Sequence, residues 1–202
     1  MTDVTVATFD PASEISAASV VQGLALSDEA RALLEKGINV RRFLDALVEG
    51  GLSADALAVV ARALPKRYVI AWACDCMKNA FAADPTVKDI DRAGLALAQQ
   101  WLADPSEERR RAAFEFAERD ELASPGAWIA ASAGWSGGSL APRGYDPIPP
   151  PDHLPAEAAV AALRFVAARK ADYATAINGF IARALQLFGS AATRPARTTG
   201  AA

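Results

Sequence analysis

Large apolar residues recur along this chain at helical spacing, and short capping signals break the runs. Asn39 precedes Phe43, Leu44, Leu47 and Val48, and Gly50-Gly51 follows them. That order predicts a helix with a polar cap at one end and a glycine stop at the other. Ser53 opens a second stripe of Leu57, Val60 and Leu64, which runs into Pro65. Proline lacks the N–H that a helix interior needs, so Pro65 is read as opening a new helix. From Lys66 to Phe81 the apolar positions form two adjacent rows, Val69-Trp72-Cys76 and Ile70-Cys74-Met77-Phe81. A stripe that wide predicts a central helix covered on most sides.

Four further starts share one device. Asp10-Pro11, Asp84-Pro85, Asp104-Pro105 and Ser124-Pro125 each set a good cap before a proline at the first helical position. Glu107 completes a capping box with Asp104, and Thr86 with Asp89 offers an alternative start. After Pro105 the row Glu107, Arg111, Glu115, Arg119 alternates in sign and predicts a solvated face. Near the C-terminus, Pro155 with Val160, Leu163 and Val166, then Tyr173, Ile177, Phe180, Ala184 and Leu187 closed by Gly189, predict an antiparallel helical hairpin. The chain is therefore expected to be all-α, with about eight or nine helices packed as hairpins, a repeat-like stack being one arrangement. Residues 1–190 form one domain, interrupted by a Pro/Gly-rich loop at 136–154, and 191–202 form a disordered tail. The stretch Val4 to Phe9 is read as an extended arm, since no second strand pattern exists to pair with it.

Composition narrows the function more than the fold. Hydrophobic residues make up 52% and charged residues 22%, which places the bulk of the chain in the globular class. A net charge of -3 offers no long-range attraction for nucleic acid, and Arg109-Arg110-Arg111 is embedded among glutamates. No stretch reaches the length of a membrane span, and the expected location is cytoplasmic. Cys74 and Cys76 point to opposite sides of a helix, so they can neither bridge each other nor share a metal; they read as buried small hydrophobes. With His153 the sole histidine, no metal or cofactor site is expected. Trp72, Trp101, Trp128 and Trp135 lie on apolar stripes and read as core.

One stretch resembles chemistry. Gly134-Trp135-Ser136-Gly137-Gly138 fits the spacing of a hydrolase nucleophile elbow, and Asp152-His153 could complete a triad order. An elbow needs a strand before the serine and a helix after it. Here a helix precedes and a loop follows, so Ser136 sits at a helix C-terminus, where the dipole disfavours a developing anion. The preferred reading is a glycine stop that launches a stiff loop with Pro142, Pro147 and Pro149 to Pro151, anchored by Leu140, Tyr145 and Ile148. Stiff segments bind at small ordering cost, so Arg143, Tyr145, Pro147, Pro149, Pro150 and Pro151 are the expected partner contacts. Asp75, between the two cysteines, is expected to pair with Lys66, Arg67 or Lys78; a cleft enzyme built on Asp75, Lys66 and Arg67 is the competing reading.

The step A-L-P-K-R at Ala63 to Arg67, the run Ala71 to Cys74, and Trp135 to Pro142 followed by Pro149 to Pro151 together resemble a poorly characterised bacterial family of small all-helical proteins. The resemblance extends from about Ala7 to Phe188. Asn39 to Phe43 departs from the family's usual proline-bearing cap. The resemblance implies an accessory protein associated with type VI secretion gene clusters, with no catalytic residues to carry over. The resulting expectation is a non-enzymatic adaptor for a protein partner, such as a secretion-system component or effector. A small hydrolase using Ser136 and a homo-oligomeric structural subunit are the alternatives.

Overall fold

The computed structural model describes residues 11–82, 84–142 and 144–190. The arm at Val4 to Phe9, the Asp10 cap, Arg143 and the tail at 191–202 lie outside the described residues. Eleven α-helices follow one another among those described: α1 (Pro11–Glu14), α2 (Ala17–Val20), α3 (Asp28–Ala32), α4 (Val40–Glu49), α5 (Ser53–Ala63), α6 (Lys66–Ala82), α7 (Asp89–Ala103), α8 (Glu107–Arg119), α9 (Pro125–Gly134), α10 (Leu154–Ala167) and α11 (Tyr173–Ser190). The all-α expectation holds. The count exceeds the expected one because the stretch before Asn39 is broken into three short helices, tied to the body by an isolated bridge between Ser16 and Asn39.

Several local signals act as read. The Asn39 and Ser124 side chains accept from the N–H groups of Arg42 and Ala127, and Pro65 opens α6. Others shift. Asp84 caps no helix; its carboxylate folds onto the N–H and hydroxyl of Thr86 in a local turn, and α7 begins only at Asp89. Asp104 closes α7, while Ser106 caps α8. At Asp84 the side-chain acceptor is in competition between a turn and a helix, and the turn prevails, whereas the Asp104 carboxylate pairs with Arg109. Gly189 does not end α11, which continues to Ser190.

The two apolar rows of α6 are buried as expected, and Trp72 donates its indole N–H to the Phe180 carbonyl of α11. Yet α9 occupies the middle, packed against α7, α8 and α10. Apart from Pro125, Trp128 and Ile129 its residues are small, so neighbouring backbones approach closely. A Cβ on Gly94 of α7 would lie 2.0 Å from the Gly126 carbonyl oxygen, and one on Gly134 would lie 2.7 Å from the Phe114 Cα of α8. At the same crossing the fully buried Asp91 carboxylate accepts from Arg169 at 2.6 Å and from the Gly126 N–H at 3.4 Å, next to the positive end of α9.

Candidate functional site

The segment from Trp135 to His153 connects α9 to α10 without helix of its own. Its prolines remove N–H groups but keep every carbonyl, which makes it rich in acceptors and poor in donors. Donors come from α8. Arg110 grips Glu107 with two hydrogen bonds of 2.6 Å and donates to the carbonyls of Gly134 and, at 3.4 Å, Ser139. Arg111 donates to the carbonyls of Ser139 at 3.0 Å and Ala141 at 2.8 Å, pairs with Glu115, and lies over the Phe114 ring. Both side chains are buried. The expected solvated row is thus broken at Arg111, whose fork of donors is more useful against loop carbonyls than in water.

Further ties close the loop on itself. The Leu140 N–H donates to the Ile148 carbonyl at 2.8 Å, and the Ser139 hydroxyl accepts from the N–H groups of Ala141 and Ile148 at 3.0 Å each. At the far end Lys66 Nζ reaches Asp152 at 2.6 Å; this hydrogen bond and the lysine charge hold the Asp152 carboxyl below the usual carboxylate range. Residues between the ties stand out in solvent. Tyr145 is 75% exposed and Ile148 58% exposed, so neither anchors the loop as expected. Pro147, Pro149 and Pro151 are exposed, whereas Pro150 is buried and offers no surface to a partner.

The catalytic pattern dissolves into packing. Gly134 is required by its contact with Phe114, and Gly138 by a φ of 65° over the Arg110 guanidinium. The Ser136 hydroxyl donates to the Ala133 carbonyl at 2.6 Å at the end of α9, Asp152 is engaged by Lys66, and His153 lies 3.8 Å from Glu157. No triad is assembled among these groups. Asp75 is exposed and pairs with Arg183 of α11 and Asn79, not with Lys66, Arg67 or Lys78. Arg67 donates to the Leu102 carbonyl. Cys74 and Cys76 are buried and free, and burial above all pushes both thiols up to about 12. Trp72 and Trp101 are core; Trp128 and Trp135 are half-buried and meet edge to face with centroids 6.3 Å apart. Trp128 Nε1 is a buried donor with no acceptor among the described residues. Among the described residues no cluster of three His, Cys, Asp or Glu side chains suits a metal, and no helix is long and apolar enough to cross a membrane.

Two clefts flank the segment Ser139 to Ala141 where it lies on α8. One, of about 520 Å³, is bordered by Glu107, Glu108, Arg111, Pro142, Tyr145 and Pro147. The other, of about 500 Å³, is bordered by Phe114, Glu118, Glu121, Leu122, Trp135, Leu140 and Leu154. Sequence reasoning missed this second cleft, and the turn beneath it explains why. Leu122 N–H returns to the Ala117 carbonyl and Glu121 N–H to the Glu118 carbonyl, a Schellman stop with Glu121 at φ 50° and Leu122 at φ 56°. The stop after α4 has the same bonds with Gly51 at the left-handed position. Without a glycine, the stop after α8 carries no signal in the sequence.

The model of DUF6931, a family of unknown function, matches residues 43–188. The matched span takes in α8, the loop and both buried arginines. No curated protein and no solved structure matches the chain.

Proposed function

Since the chain belongs to DUF6931, whose description assigns no activity, we propose from the site itself that this protein is a non-enzymatic adaptor holding a protein partner on the loop between α9 and α10. One observation carries the reading: Tyr145 and Ile148 are held out in solvent on a loop whose base is tied by Arg110, Arg111 and Lys66. Exposed aromatic and branched side chains are unusual on a segment that could have turned them inward, and they are the residue types that anchor interfaces. Ties and prolines order the loop before binding, so little conformational entropy remains to be lost when a partner docks. Ser136, hydrogen-bonded at a helix C-terminus, gives the hydrolase reading no support. The resemblance to proteins of type VI secretion gene clusters makes a secretion-system component or effector the partner class to test first. Affinity purification from the native cell, followed by mass spectrometry, compares the intact protein with Tyr145→Ala/Ile148→Ala. Loss of one recovered protein from the variant supports the reading; identical recovery rejects it.

A further inference from the structure

The face of α8 toward the loop carries two separate clefts, one in each half of the helix, divided by the segment Ser139 to Ala141 that Arg110 and Arg111 hold against it. The cleft toward the end of α8 has apolar walls, with Phe114, Trp135, Leu140 and Leu154 around a space of about 500 Å³. Glu118 and Glu121 stand on its rim, exposed, and their carboxylates make no hydrogen bond or ion pair to any described residue. The cleft toward the start of α8 has Glu108 in the same condition, beside the exposed Tyr145 ring. Among the described residues, the arginines that start α8 are committed. Arg110 and Arg111 are buried and spent on loop carbonyls and glutamates, and Arg109 is paired with Asp104. Arg119, the basic residue of the last turn, borders neither cleft.

Among the described residues the uncommitted charge bordering the groove toward the end of α8 is therefore negative. It is also badly placed for the helix alone. Glu118 and Glu121 lie at the C-terminal end of α8, where the helix dipole is already negative, so a cation there is favoured and a carboxylate is not. Glu121 moreover takes the left-handed position that glycine would occupy without strain. A bound cation relieves the first of these costs.

We propose that the groove binds a basic amphipathic segment of the partner protein. A large apolar side chain seats against Trp135 and Leu140, and flanking Lys or Arg side chains meet Glu118 and Glu121. This rests on the adaptor reading and names the chemistry of its partner. An anionic ligand is disfavoured because, among the described residues, the charged side chains bordering the groove are Glu118 and Glu121 and none is basic.

The test pans a phage-displayed library of random dodecapeptides on the full-length protein, then measures the enriched peptides as fluorescein conjugates by anisotropy. Enriched sequences are expected to pair a large apolar residue with neighbouring Lys or Arg. Glu118→Gln/Glu121→Gln is expected to weaken them about tenfold, and Leu140→Ser similarly, with unchanged thermal midpoints. Absence of enrichment, enrichment of acidic or neutral sequences, or indifference to these substitutions overturns the proposal. Stronger peptide binding after deletion of 191–202, which carries Arg194 and Arg197, would assign the groove to the chain's own tail and also overturn it. If the native partner is lost with Tyr145→Ala/Ile148→Ala but retained with Glu118→Gln/Glu121→Gln, the adaptor reading stands and the groove assignment falls. The converse pattern retains the groove and rejects the loop.

Discussion

Replacing Arg111 with methionine keeps most of the apolar stem and removes the guanidinium, which isolates what that group does for the loop. Three contributions disappear. Two hydrogen bonds from a charged donor to the Ser139 and Ala141 carbonyls, at 3.0 and 2.8 Å, are worth about 1 to 1.5 kcal/mol each, and the buried Ala141 carbonyl is left without its partner. The pair with Glu115 adds about 0.5 kcal/mol, because that carboxylate is half exposed and screened. The position over Phe114, 5.1 Å from the ring centroid, adds about 0.5 kcal/mol. Together they come to about 3 kcal/mol, which for a chain of this length lowers the thermal midpoint by about 6 to 12 °C. Hydrogen exchange supplies the local reading. The amides of Leu140, Ala141 and Ile148, now bonded within the loop, should lose protection. Arg109→Met is the control. Its target is half exposed and does not touch the loop, so a loss of about 1 kcal/mol or less with unchanged loop protection is expected. A midpoint for Arg111→Met within about 1 °C of wild type, with Leu140 and Ile148 still protected, would refute the idea that this arginine ties the loop.

Gly94→Ala forces a Cβ to within 2.0 Å of the Gly126 carbonyl oxygen, where neither backbone can yield without parting α7 from α9; a loss of about 3 kcal/mol or more is expected in urea titration. Glu121→Gly removes left-handed strain and should raise stability by about 1 kcal/mol, while weakening any basic peptide bound in the groove. Both cysteine thiols, pushed from 9.0 up to about 12 by burial, should resist a thiol reagent in the native protein at about pH 8 and react together in denaturant. Because the unfolded thiols ionise first, the stability they support is intact below pH 9 and falls as the pH rises from 9 toward about 12; urea midpoints across that window check the sign.

Where a large apolar period or a dedicated cap carries the information, the sequence reads correctly. The two rows of α6, the Asn39 and Ser124 caps and the glycine stop after α4 are of that kind, since each depends on residues close in the chain. The central place of α9 is not legible in the same way. Apart from Pro125, Trp128 and Ile129 its residues are Ala, Gly and Ser, and closeness between backbones leaves no periodic stripe of large side chains. The solvated reading of Arg111 fails because charge alternation at helical spacing says nothing about an acceptor-rich loop about 30 residues away. The count of missing donors in that loop is the signal that was present: five prolines between Pro142 and Pro151 leave carbonyls that something must satisfy, and arginine brings the most donors. Asp75 fails for a simpler reason. Its neighbours in sequence are buried, but its own position on α6 faces α11, where Arg183 waits.

The central claim is that a pre-tied loop presents Tyr145 and Ile148 to a partner, and hydrogen exchange of the full-length protein, alone and with the co-purified partner, tests it most directly. The account predicts added protection confined to residues 139–148 and the facing side of α8, with the loop amides already partly protected in the free protein. Protection that appears elsewhere on the molecule, with residues 139–148 unchanged, would contradict it.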